Sequence, residues 1–501
     1  MLSLTTVRAW VLSRKGVLLF LLVLAIGSWL RIYDLGAESL WLDEAISENF
    51  VKGNVAYIIN ESALQHNTPP LYWLILHYWT ALLGNSEVAL RSLSAILGIG
   101  AILITYLVGK ELFNHKVGLI GSLLSAISYF QIYYSQEARS YALLLFLSLL
   151  SYFFFIRIFK RDGNWYYPCY FLTNILLGYV HIYGLFIIAS QVFYFILYHR
   201  SFLAKRCKLI ATLSATVVGL SPLVILMGPT TMSLMEQGFW IERPSPIDIL
   251  DTFHQYAGYG LGSHILLILF FLLALLGLFS IRREAGKWII RKPIDSLRTI
   301  SWRVGFESID ELVLLILWLA FPILIPFIAS QVTTPFYFYR YTIGASPALY
   351  LIVAKGINTF KMKRLLYSVL LVIIIFSAFG LHSYYVQDVK EQWREAAEFV
   401  EINSREGDVI LDYEAWGHSP FEYYYKGDLP IFKIPHRASV QEVATLTDQV
   451  IGGKDRLWLI VWEGYGSPMW DYLTGKYAAI WELDFNGASV LLVDLPVDDS
   501  D

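Results

Sequence analysis

The sequence predicts an all-α polytopic membrane bundle of about eleven transmembrane helices, followed by a small soluble α/β domain. Three observations predict it. The 501 residues are 56% hydrophobic and only 16% charged, with a mean hydropathy of +0.53. Soluble domains carry about a quarter charged residues, so a bilayer is this chain's main solvent. Apolar runs near the ~20 residues needed to cross hydrocarbon recur up to position 383. Beyond it the charges return and the pattern becomes alternating helix and strand.

At the N-terminus Arg8, Arg14 and Lys15 precede the apolar run Gly16 to Leu30. This could be the h-region of a signal peptide, but no small-x-small cleavage site follows. The next residues include Trp29, Arg31 and Tyr33, which favours an uncleaved first helix over 15–33 and a membrane-tethered loop after it. Further spans are predicted at 89–109, 117–133, 140–158, 165–181, 184–199, 208–227, 263–281, 311–329, 342–358 and 365–383.

The stretch Pro70 to Gly84 (PLYWLILHYWTALLG) is apolar, short and aromatic, with His77 in its middle. A crossing there would invert everything after it, so the positive-inside tendency decides. With the stretch lying in the interface, the predicted cytoplasmic segments hold 23 Lys and Arg, including RREAGKWIIRK after position 281 and KMKR at 361–364. The opposite loops hold six: Arg31, Lys52, Arg91, Arg139, Arg243 and Arg340. The N-terminus is therefore expected in the cytoplasm and the first loop outside, with Pro70 to Gly84 as an interfacial helix carrying headgroup-level Tyr and Trp.

The predicted domains are a transmembrane domain over 1–383, with interfacial helices in its first outer loop (34–88), and an extracytoplasmic α/β domain over 384–501. In the latter a helix at 388–404 leads through Gly407 to DVILD at 408–412. Helical FEYYYKG, strand PIFKI at 430–434, helical SVQEVATLTDQV, buried strand RLWLIVW at 456–462 and a final pair around IWELDF and ASVLLVDL follow. Nine basic residues lie beyond position 384, but a large domain translocates largely regardless of charge. The net charge of −3 gives no hint of nucleic-acid binding. Two isolated cysteines, Cys169 and Cys207, exclude a disulfide framework or a cysteine metal site.

Ionisable groups are costly near a membrane, so those at outer helix ends are the candidates for chemistry. Asp43 and Glu44 are adjacent carboxylates in an apolar setting, WLDEAIS. Partial desolvation and a like charge suit such a group to act as a general base, while acids also favour a helix's first turn for structural reasons. His66 stands in QHNTPP at the mouth of the interfacial helix, where proline is ordinary punctuation. Glu137, Arg139 and Tyr141 lie in YYSQEARSY, and a tight turn does not need a Glu and an Arg together. Arg139 suits phosphate recognition through its planar fork of donors. Arg340 and Tyr341 sit in YFYRY, where Arg either snorkels or joins Arg139 on one anionic headgroup. His181 and Tyr183 occupy another outer helix end, where packing is the simpler reading.

Taken together, WLDEAIS, HNTPPLYWLILHYW, LLGNSEVALRSLSAILG, YYSQEARSYALL, VHIYG and FYFYRYTIGASPALYLIVAKG resemble the bacterial membrane glycosyltransferases of the dolichyl-phosphate-mannose protein mannosyltransferase-like superfamily. The resemblance is dense over 15–200 and thinner over 335–357. It implies a GT-C architecture and a polyprenyl-monophosphate sugar donor in the bilayer. It also implies inverting transfer to a hydroxyl acceptor (lipid, cell-surface glycan or protein) on the non-cytoplasmic face, here of a bacterial plasma membrane. It further implies Asp43 as base with Glu44 as partner, and Arg139 and Arg340 facing donor phosphate. Many relatives read His-Pro-Pro where this chain has His66-Asn67-Thr68-Pro69-Pro70, which leaves the role of His66 open. One carboxylate plus two arginines is chemically sufficient, because an anionic leaving group needs cationic stabilisation more than a protonating acid. Whether a divalent cation assists is left open, since Asp43, Glu44, His66 and Glu137 have no diagnostic metal spacing. The rival class is a polytopic transporter or lipid flippase. Against it stand the clustering of candidate charges at one face and the lack of an internal repeat.

Overall fold

The computed structural model describes residues 4–161, 163–237, 240–278, 281–284, 287–290, 309–414, 419–435, 440–452, 454–462 and 468–495. The helices run in chain order as α1 (Leu4–Ile32), α2 (Leu42–Lys52), α3 (Val55–Ile59), α4 (Leu71–Leu83), α5 (Glu87–Leu112), α6 (His115–Ala126) and α7 (Tyr129–Ser135). There follow α8 (Tyr141–Lys160), α9 (Tyr166–Val180), α10 (Tyr183–Leu197), α11 (Arg206–Gln237), α12 (Pro246–Ala257), α13 (Ser263–Leu278) and α14 (Ile309–Val332). A short hairpin, β1 (Ile281–Glu284) with β2 (Lys287–Ile290), lies between the last two, and the rest of the basic segment 282–292 falls outside the described residues. The bundle ends with α15 (Ser346–Asn358), entered through a 3-10 turn at Tyr339–Ala345, and α16 (Lys363–Val386).

Every apolar run expected to span is helical, but the eleven spans are not reached by length. Six helices (α1, α5, α8, α11, α14 and α16) are long and apolar enough to cross, among the described residues. The pair α6 and α7 makes a seventh if the 60° bend between them is one broken span. A 15-residue helix such as α9 or α10 rises only ~22 Å, short of the ~30 Å hydrocarbon core. At 13 residues α4 is shorter still.

The chain divides into two compact units: residues 1–33, 54–82 and 91–383, and residues 34–53, 83–90 and 384–501. In the first, buried polar groups satisfy one another, as a hydrocarbon setting demands. Ser151 Oγ donates to Asn174 Oδ1 at 2.6 Å, Tyr170 OH to Gln191 Oε1 at 2.6 Å, and Tyr152 stacks on Trp318 at 3.8 Å. Arg31, counted from sequence as an outer-loop charge, is fully buried here. Its guanidinium donates to the Ser125 and Ala126 carbonyls at 3.0 and 3.1 Å, capping the end of α6, whose last carbonyls lack helical partners.

The second unit is built on α17 (Trp393–Asn403), β3 (Val409–Glu414), α18 (Pro420–Tyr424), β4 (Ile431–Pro435), α19 (Val440–Val450), β5 (Arg456–Trp462), α20 (Pro468–Lys476), β6 (Ala478–Phe485) and β7 (Ala488–Asp494). The strand order is β4-β3-β5-β7-β6, with β3, β4 and β5 parallel and the last two antiparallel. Alternate residues of β3, β5 and β7 enter two cores. Val409, Leu411, Leu459 and Leu491 pack with Met469 and Leu473 of α20, while Ile410, Trp458, Ile460 and Leu492 pack with Trp393, Ala396 and Val400 of α17. Both faces are covered, which is why the LWLIVW of β5 reads as an unbroken apolar run. Gly407, at φ +95°, makes the turn from α17 into β3. Next to it Arg456 grips the buried Asp408 through two N–H groups at 2.9 and 2.5 Å.

The helix expected over 388–404 begins only at Trp393. The backbone N–H groups ahead of it are taken from afar: those of Val389 and Lys390 donate to Glu38, and that of Gln392 to the Asn486 carbonyl. Helix α20 went unread in the sequence.

Candidate active site

The second unit holds the acid pair. The loop 34–41 is stitched to the segment 388–394: Arg394 donates to the Ala37 carbonyl at 2.7 Å and pairs with Glu87 at 2.8 Å, and Ser39 donates to the Glu391 carbonyl at 2.7 Å. This delivers the chain into α2, whose first turn carries Asp43 and Glu44. The structural reading of the pair is thus realised, since both acids lie where the helix dipole favours them. They are nevertheless placed differently. Glu44 is fully buried and forms an ion pair with Lys390 Nζ at 3.1 Å, the lysine side chain being only 3% exposed. Asp43 is half-buried, one helical step around the axis, and its carbonyl accepts the Ser47 hydroxyl.

Glu391 is the third carboxylate of this corner. Its Oε2 accepts the Leu42 N–H at 3.0 Å and the Trp393 indole N–H at 2.5 Å, and its Oε1 accepts the Trp462 indole N–H at 2.8 Å. Burial pushes its carboxyl up from the ordinary carboxylate range and the charge of Asp43 adds to this, while the three N–H donors pull the other way. Neither Lys390 nor Glu391 was singled out in the sequence, where VKEQWRE reads as an ordinary amphipathic helix start.

The first unit holds the remaining candidates. The turn between α7 and α8 carries Glu137, fully buried, and Arg139, half-buried. Its geometry is set by Gln136, whose amide donates to the Tyr33 carbonyl at 2.8 Å, and by the Arg139 carbonyl, which accepts the Ser94 hydroxyl. The Arg139 guanidinium lies 5.7 Å from the Trp73 ring of α4. Arg340 is the second residue of the 3-10 turn before α15, and the segment leading into it is pinned by the Phe336 and Tyr337 N–H groups, which both donate to Ser330 Oγ at 3.0 Å. Its guanidinium faces Phe338 at 4.7 Å, Trp240 at 5.6 Å, Tyr341 at 5.8 Å and Tyr141 at 5.9 Å.

These elements meet at His181. Its ring lies 5.0 Å from Tyr341, 5.5 Å from Tyr183 and 6.3 Å from Tyr141, and it is within electrostatic reach of both Arg139 and Arg340. Its Nδ1 accepts the Tyr183 backbone N–H at 3.2 Å, so the ring proton sits on Nε2. Glu137 acts electrostatically on Tyr134 and Tyr339 of the same cluster. The structure therefore brings together Glu137, Arg139, Tyr141, His181, Arg340 and Tyr341 from three separate stretches of chain. His66 closes a π-helical turn instead, its Nδ1–H donating to the Glu61 carbonyl at 2.9 Å, beside Asn67 at φ +50°. Among the described residues, no group of three or more His, Cys, Asp or Glu is placed to hold a metal ion.

Residues 67–225 match the family described as dolichyl-phosphate-mannose-protein mannosyltransferase. No curated protein sequence matches. The fold is similar to that of ArnT from Cupriavidus metallidurans in its apo state, with a TM-score of 0.63 at 10% identity over 96% of this chain and 98% of that one. It is similar to the same protein bound to undecaprenyl phosphate, with a TM-score of 0.62 at 11% identity over 97% and 99% of the two chains. It also resembles the archaeal oligosaccharyltransferase AglB from Archaeoglobus fulgidus, solved with an inhibitory peptide and a dolichol-phosphate, with a TM-score of 0.55 at 13% identity over 98% and 76%. The chain thus has the GT-C fold, and its residues 67–225 resemble the dolichyl-phosphate-mannose-protein mannosyltransferase family.

Proposed function

We propose that this protein is an inverting membrane glycosyltransferase. It moves a sugar from a polyprenyl-monophosphate donor to a hydroxyl acceptor on the non-cytoplasmic face, with the N-terminus in the cytoplasm. The observation that carries the reading is the convergence of Arg139 and Arg340 on the aromatic, charge-poor surroundings of His181. Two cations held against tyrosine and tryptophan faces, with a neutral imidazole offering Nε2–H, form a receptor for a dianionic phosphate. Such a phosphate is the leaving group of the reaction, and positive charge fixed in advance stabilises it as the glycosidic bond breaks.

In this mechanism Asp43 is the base: it takes the acceptor hydroxyl's proton as the oxygen attacks the anomeric carbon from the side opposite the phosphate. Glu44 is unsuited to that task, because its charge is committed to Lys390. Tyr141 and Tyr341 wall the phosphate receptor, and the buried Glu137 lies within electrostatic reach of Tyr134 and Tyr339 of the same cluster.

The test is transfer from undecaprenyl phosphate carrying radiolabelled mannose, glucose or arabinose, with label followed into lipid, glycan and protein fractions, with and without EDTA. Wild type is expected to transfer from one of these donors, and Asp43→Asn to lose transfer while still binding undecaprenyl phosphate. Donor translocation without transfer by folded wild type would replace this reading with a flippase.

A further inference from the structure

We infer that Glu391, in the C-terminal part of the chain, is a positioning residue for the catalytic base, holding the first turn of α2 so that Asp43 is presented in one orientation. The inference rests on the assignment of Asp43 as base. Its ground is geometry within one compact unit. Residue 42 is the first of α2, so its N–H has no partner inside the helix, and it finds one in Glu391 Oε2 at 3.0 Å. No side chain of the Trp41 N-cap does this work. A carboxylate from elsewhere in the chain thus supplies the cap that the local sequence omits, immediately beside Asp43.

Glu391 is itself held fast. Two indole N–H groups fix its oxygens, and the turn between β6 and β7 closes on its stem. A Cβ at Gly487, which adopts φ +71°, would lie 2.5 Å from Glu391 Cγ. Two hydrogen bonds from Asn486 Nδ2, to the Asp388 and Lys390 carbonyls, secure the segment just before it. A buried carboxylate gripped this way carries a cost, seen in the upward push on its carboxyl by burial and by Asp43. A residue needed only to fill space would be apolar there.

The experiment compares wild type, Glu391→Gln, Leu42→Pro and the double variant, as full-length protein in proteoliposomes. Leu42→Pro removes the same N–H from the other side. Proline suits the first helical position, and Trp41 already has the extended ψ of 172° that a following proline requires. Transfer is measured with the undecaprenyl-phosphate mannose, glucose and arabinose panel, and binding with undecaprenyl phosphate alone. Each single variant is expected to lower kcat at least tenfold, with KM and the undecaprenyl phosphate Kd within twofold, and the double variant to be no worse than the poorer single. Wild-type kcat in Glu391→Gln, or losses that multiply in the double, overturns the inference. Should Glu391→Gln not fold, Leu42→Pro decides alone. Asp43→Asn separates the two levels: if it transfers like wild type, the base assignment has failed and Glu391's role falls with it. If it is inactive while Glu391→Gln and Leu42→Pro are normal, only the positioning role has failed.

Discussion

Replacing Lys390 by Met should destabilise the second unit severely, and the structure sets the size of the effect. The Lys390–Glu44 pair is 3.1 Å apart with side chains 3% and 0% exposed, so water screens it little. Removing one partner of such a pair leaves a buried carboxylate with its main counter-charge gone, which costs about 3–5 kcal/mol. In a unit of about 150 residues this lowers the melting temperature by roughly 6–20 °C. Removing both charges together, in Glu44→Gln with Lys390→Met, should recover most of the loss, because paired burial is itself near break-even. The exposed pair Lys433–Glu422, 2.7 Å apart but 44% and 37% exposed, is the internal control, and Lys433→Met should change stability by under about 1 kcal/mol. Hydrogen exchange read by mass spectrometry over β5 and β7 isolates this unit from the bundle, where a single melting curve would mix the two. A loss under about 1 kcal/mol for Lys390→Met, or a double variant as damaged as the single, would refute the claim that this pair sits in a low-dielectric core.

Three further outcomes are expected. Arg340→Lys and Arg139→Lys should each weaken undecaprenyl phosphate binding about 10- to 100-fold, the worth of a charged hydrogen bond of ~1.5–3 kcal/mol; titration calorimetry giving an unchanged Kd for both would remove them from the donor site. Arg31→Met should cost the bundle about 1–3 kcal/mol by orphaning the Ser125 and Ala126 carbonyls, and an unchanged detergent melting temperature would contradict the capping role. The folded carboxyl of Glu391 lies above its unfolded range, so the folded state binds more protons and this group's stabilisation is present at low pH and fades as pH rises through the folded value. The stability of wild type relative to Glu391→Gln should therefore fall as pH is raised from about 4.5 towards neutrality, and a flat difference would show that Glu391 does not titrate as its burial implies.

What could be read in the sequence was local. Strand β5 matches its expected bounds, 456–462, because the six consecutive residues after Arg456 each favour a strand buried on both faces. Hydropathy located every apolar helix, yet it could not separate a 26-residue span such as α5 from a 15-residue helix such as α9, since both are apolar throughout and differ only in where a turn interrupts. The start of α17 was misplaced because the competitors for its N–H groups, Glu38 and Asn486, are about 350 and 95 residues away. Arg31 looked like a loop charge for the same reason: its partners lie on α6, 94 and 95 residues on. At the site, the residue types in WLDEAIS, QEARSY and YFYRY carried the chemistry. That Arg340 lies over Tyr141 and Tyr341, the two rings that flank His181, is a fact of packing that no spacing along the chain encodes.

The acid pair shows why adjacency in sequence predicts division of labour in structure. Successive residues on an α-helix point about 100° apart, so two neighbouring side chains cannot both face one site. In α2 Glu44 is fully buried and Asp43, the residue before it, is half-buried. The inward acid then needs a counter-charge, and Lys390 supplies it. The adjacent backbone N–H needs an acceptor, and the next residue, Glu391, supplies that. Two consecutive residues of one stretch of chain therefore settle both the depth and the first turn of α2, Lys390 through Glu44 and Glu391 through the Leu42 N–H. On this reasoning Glu44→Gln impairs folding of the unit more than it impairs turnover per folded molecule, while Asp43→Asn does the reverse. Equal effects of the two changes on both quantities would mean that the pair acts as one group.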